Sequence, residues 1–123
     1  MEDRIKEDAR LFVMMVHATR SPATAKQVAD HARQILAAKP NYIPALMVSA
    51  LALEEQGKLG MAKGLYETVL VTAPSFAPAS RNLAILCTEH FADAPKAYEF
   101  ALRAREAYPE DAEVAREIGR AHV

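Results

Sequence analysis

Covalent and strand-forming signals are scarce in this chain. A single cysteine, Cys87, excludes a disulfide within the monomer. Tryptophan is absent and glycine is limited to 4 residues. No Asn-Gly or Asp-Gly dipeptide marks a hairpin, and no long stretch alternates apolar with polar residues, so β-architectures are excluded. No apolar run approaches the roughly 20 residues of a membrane span. The opening Met1-Glu2-Asp3-Arg4 is too charged to begin a signal peptide, so a cytoplasmic location is expected. Charge of one sign is lacking too, because 15 basic residues meet 16 acidic ones. That balance argues against nucleic acid or a membrane surface as the partner.

What is present is helix-forming. The 123 residues are 51% apolar and 25% charged, enough for one domain over 1–123 with a core that needs neither disulfide nor metal. Alanine, the best helix former, makes up roughly a fifth of the chain. The composition predicts an all-α fold.

Prolines divide the chain at regular intervals. Pro40, Pro74 and Pro109 are spaced by 34 and 35 residues, and Lys39-Pro40-Asn41-Tyr42-Ile43-Pro44-Ala45 is echoed by Ala73-Pro74-Ser75-Phe76-Ala77-Pro78-Ala79. Each first proline ends a helix, because the residue before it is pushed from the α region. Asn41 or Ser75 is then placed to cap the next helix, with Pro44 or Pro78 in its first turn. The spacing predicts helices at 3–19 and 23–38, 42–56 and 59–73, 76–89 and 94–108, with a terminal helix at 111–122. In the first, Ile5, Ala9, Phe12 and Val16 form one apolar stripe.

Chemistry-bearing motifs are few. The sequence holds no phosphate-cradling glycine loop, no H-E-x-x-H and no C-x-x-C. Cys87, His90 and Asp93 are spaced across a helix end, but a metal site needs three or four ligands. Cys87 falls at a core position, where a small apolar residue fits. Glu54 and Glu55 are adjacent, so they point about 100° apart on a helix and form a solvated face. No catalytic residue, metal or cofactor is expected, and the chain is read as not an enzyme.

A helix hairpin repeated about every 34 residues resembles the tetratricopeptide repeat family. In the unit 43–76, Ala50, Gly57, Leu59, Ala62, Tyr66, Val69 and Pro74 stand at the family's spacing. The next unit carries Asn82-Leu83-Ala84, then Ala97, Ala104 and Pro109, and departs by one inserted residue near 91–95 and by Ala101 where an aromatic is usual. The resemblance implies an α-solenoid of stacked antiparallel helix hairpins. Its units are about 3–40, 41–74 and 75–109, followed by the terminal helix 111–122. Ala50, Ala62, Ala84 and Ala97 would let helices approach to about 8–10 Å.

In that family the first helices of the pairs line a concave, peptide-binding groove. Carried over by position, the middle unit supplies Pro44, Met47, Val48, Leu51, Glu54 and Glu55. The next supplies Pro78, Arg81, Asn82, Ile85, Thr88 and Glu89. The first gives Arg10, Val13, Met14 and His17, and the last half-unit Glu113, Arg116, Glu117 and Arg120. An apolar centre (Val13, Met14, Met47, Val48, Leu51, Ile85) and a polar end (Arg81, Asn82, Arg116, Arg120) follow. The family's chaperone-carboxylate clamp does not fit, since only Asn82 matches its pattern. The function implied is a scaffold that binds a protein or peptide segment. Its alternative is a non-catalytic repeat segment that positions an enzyme or a secretion or assembly component. Ala115 and Gly119 leave the terminal helix with a small-residue face, on which a further helix or a second copy is expected to dock.

Overall fold

A computed structural model describes residues 22–122, and the expected helix at 3–19 lies outside the described residues. Six helices appear among them and no strand: α1 Pro22–Ala38, α2 Ile43–Glu55, α3 Leu59–Thr72, α4 Ala77–Glu89, α5 Ala94–Ala107 and α6 Ala112–His122. Their ends fall within one residue of the boundaries that the prolines and turn residues predict. None is long and apolar enough to cross a membrane. The chain divides into two compact units, Met1–Ala73 and Pro74–Val123.

In the first unit α2 and α3 form a hairpin, and α1 packs on α2. Ala45, Ala50 and Ala62 are fully buried, as helices in close contact require. Tyr66 and Val69 on α3 complete the core, and the Tyr66 hydroxyl donates to Glu54 Oε2 across the hairpin. Gly57 makes the turn. Its φ of 78° lies in the left-handed region, its N–H donates to Glu54 O (3.0 Å), and the Lys58 N–H donates to Leu53 O (2.9 Å). This pair of bonds satisfies carbonyls that the helix end would otherwise leave open.

In the second unit α4 and α5 form the hairpin, and α6 packs on both. Phe76, Leu83, Leu86, Cys87, Ala97, Ala101 and Ala104 are buried in it. The inserted residue of this unit has a visible consequence. Ala92 takes a left-handed φ of 49°, and the Asp93 N–H reaches back to Cys87 O at 3.0 Å. Asp93 then caps α5, accepting from the Lys96 N–H at 3.3 Å.

The helix starts correct one expectation. Tyr42 and Phe76, not Asn41 and Ser75, are the N-cap residues, and neither makes a side-chain cap bond. The residue type explains this: phenylalanine carries no acceptor and the tyrosine hydroxyl lies at the far end of its ring, whereas Asp93, followed by a first-turn proline of its own, still caps α5. Together the hairpin packing within each unit is consistent with an α-solenoid-like arrangement.

Candidate functional site

The expected groove residues do not share one environment. Val13, Met14 and His17 lie outside the described residues. Met47 and Val48 are 0% and 2% exposed, so both are core side chains with no surface to offer a partner. The reason is local. Ile43 through Val48 are all buried, a run longer than one helical turn, so the first half of α2 has no open face. Pro44 and Pro78 are buried in the same way. Leu51 and Glu54 are half-buried, and the Glu54 carboxylate is engaged by Tyr66 within its own hairpin.

The second unit does bring predicted residues together. On α4, Arg81, Asn82, Ile85, Thr88 and Glu89 follow helical spacing along one face, and the first four are half-exposed. On α6, Arg116 and Arg120 are exposed. Arg120 Nη1 donates to Glu89 Oε1 across the two helices at 3.5 Å and to Glu117 Oε1 at 3.4 Å. Arg116 Nη1 donates to Glu113 Oε2 at 2.9 Å, one turn back on α6. These pairs hold the arginine heads near the face without removing them from water.

The other end of this face is fastened by a residue that the groove pattern passes over. Arg81 Nε donates to Asp111 Oδ2 at 2.9 Å. Asp111 Oδ1 meanwhile accepts from the N–H groups of Glu113 (2.8 Å) and Val114 (3.2 Å), which caps α6. Burial alone would push the Asp111 carboxyl up. The Arg81 bond, the two backbone N–H groups and the Arg81 charge outweigh it and hold the carboxyl below the usual Asp value. Tyr108 beside them is pushed up by burial. The cap was legible as an Asp directly before a helical run, but its ion pair to a residue 30 positions away was not.

The remaining candidate cluster is dispersed by its own structural duties. Cys87 is buried, Asp93 caps α5 and His90 is exposed at the C-terminal end of α4. His31 on α1 is exposed as well. What the α4–α6 face offers is a half-exposed isoleucine set among an amide, a hydroxyl and charged heads of both signs. No protein-family model matches the chain, and no curated protein matches it either.

Proposed function

We propose that the protein is an interaction module of the tetratricopeptide type whose α4–α6 face receives a segment of a protein partner. The observation that carries this is the setting of Ile85. It is a half-exposed apolar side chain on α4 with Arg81 and Asn82 one turn before it, Glu89 one turn after it, and Arg116 and Arg120 on the neighbouring helix. An apolar centre with a polar rim is the usual anatomy of a protein-binding patch. The two cross-helix ion pairs, Arg81–Asp111 and Arg120–Glu89, support the reading because they fix the spacing of α4 and α6 before any partner arrives. Preorganisation of that kind lowers the ordering cost of binding.

The test is a peptide-display selection against the whole chain, with every binder re-measured on two variants. Ile85→Glu puts a charge at the centre of the face, while Met61→Glu alters an exposed residue of α3 in the other unit. Binding lost with Ile85→Glu and kept with Met61→Glu is the expected result. Binders that tolerate Ile85→Glu, or that fail only with Met61→Glu, would place the surface elsewhere.

A further inference from the structure

The most confined charge among the described residues is Glu117. It is 0% exposed, and its Oε2 has no hydrogen-bond partner. Glu89, on α4, and Glu113, one turn earlier on α6, bring carboxylate oxygens to within 4.8 Å of it and of each other. The groups around it can be counted. From α6 it meets Glu113 and Arg120, and Arg116 lies behind Glu113. From α4 it meets Glu89 and Thr88, whose hydroxyl donates to Ala84 O at 3.0 Å. On α5, Lys96 and Arg103 pair with Glu99, and Arg105 and Glu106 are exposed.

Three carboxylates therefore face two guanidinium groups, Arg116 and Arg120, one positive charge short of balance. A buried carboxylate oxygen without a donor is costly, and two carboxylates at such close range oppose joint ionisation. A proton answers both at once. Placed on Glu117, it turns the orphan oxygen into a donor, and Glu113 is the neighbouring acceptor.

We propose that Glu117 takes up a proton and donates it in a hydrogen bond to Glu113, and that the loss of its charge beside Glu89 tightens the seating of α6 on α4, making the end of the candidate face a pH-responsive clasp. The Glu117 carboxyl is held up by burial first and by Glu113 in addition, against Thr88 and Arg120. The sign follows from that direction. A carboxyl raised on folding leaves the fold most stable below the ordinary Glu range, and stability falls as pH rises through the raised value. Mild acidification therefore strengthens this contact, opposite to the usual effect of acid on a carboxylate ion pair. The clasp does not depend on what the face binds.

Carboxyl-carbon NMR of the full chain between pH 4 and pH 8, on wild type, Glu113→Gln and Glu117→Gln, tests it alongside melting curves over the same range. Glu117 should titrate above the ordinary Glu range (about 4.3), and Glu113→Gln should bring it down. The melting temperature of Glu117→Gln, relative to wild type, should be higher at pH 8 and equal near pH 4. Ordinary titration of Glu117 overturns the proposal. So does an equal pH slope in wild type and Glu117→Gln. Calcium at pH 8 giving wild type the whole acid stabilisation, and Glu117→Gln none, would replace the proton with a cation. Should Glu117→Gln fail to fold, the Glu113→Gln titration decides alone.

Discussion

Arg81 Nε stands 2.9 Å from Asp111 Oδ2, so a residue of α4 holds the residue that starts α6. One carboxylate thus does two jobs, since its other oxygen accepts the Glu113 and Val114 N–H groups. Helix start and helix contact are coupled through it.

Asp111→Ala removes both, and the cap alone is worth about 1 kcal/mol. Asp111→Asn keeps much of the cap and weakens the Arg81 bond, so its loss should be the smaller. Chemical denaturation of the two variants beside wild type checks the order, and equal losses would show that the cap carries little. The pH dependence has a fixed sign. A carboxyl lowered on folding stabilises fully above the ordinary Asp value and loses that contribution as pH falls through the lowered one. Asp111→Ala should therefore flatten the acid limb of the stability curve.

Ala92 carries backbone strain. It occupies φ 49°, where a Cβ is disfavoured and glycine is at ease. The α2–α3 turn has Gly57 for the same purpose. Ala92→Gly should raise stability by up to about 1 kcal/mol, the left-handed penalty less the entropy of a freer unfolded chain. A destabilised variant would mean that the alanine methyl contributes packing that outweighs its strain.

Most of the helix plan was legible because its signals are local. Proline and glycine act on their own φ and on the residue beside them, so Pro40, Gly57 and Pro74 mark ends without reference to anything distant. The candidate face was legible where helical spacing coincides with exposure, from Arg81 to Glu89. It failed at Met47 and Val48, because position in a repeat predicts which way a side chain points and not what covers it. Glu117 stood at an inner-wall position too, yet nothing in its neighbours announces a buried carboxyl. Its partners are set by the packing of α6 against α4.

Ala62 tests the close contact of the first hairpin. It is fully buried on α3, and α3 packs against α2. Ala62→Leu inserts three carbons into filled space and should cost roughly 1–3 kcal/mol. Ala62→Gly should also destabilise, through helix propensity, by about 1 kcal/mol. Losses in both directions show a site fitted to one methyl. A neutral leucine would mean that the hairpin opens at little cost there.

Gly119 separates two accounts of the exposed side of α6. Ala115 and Gly119 lie one turn apart and are exposed, and a Cβ built on Gly119 would meet nothing within 4 Å. If that side stays in water, Gly119→Ala should stabilise the chain by about 0.5–1 kcal/mol, the helix cost of glycine being removed with nothing to clash. The mass in solution should be unchanged by the substitution at every concentration. If instead a second copy docks there, wild type should gain stability with concentration, since association favours the folded state. Gly119→Leu would then abolish that gain, because a large side chain blocks close helix approach. Melting curves at two widely spaced concentrations, with light scattering on the same samples, decide between them. A stabilised Gly119→Ala with no concentration dependence would leave that side in water, and a concentration-dependent gain abolished by Gly119→Leu would assign it to a second copy.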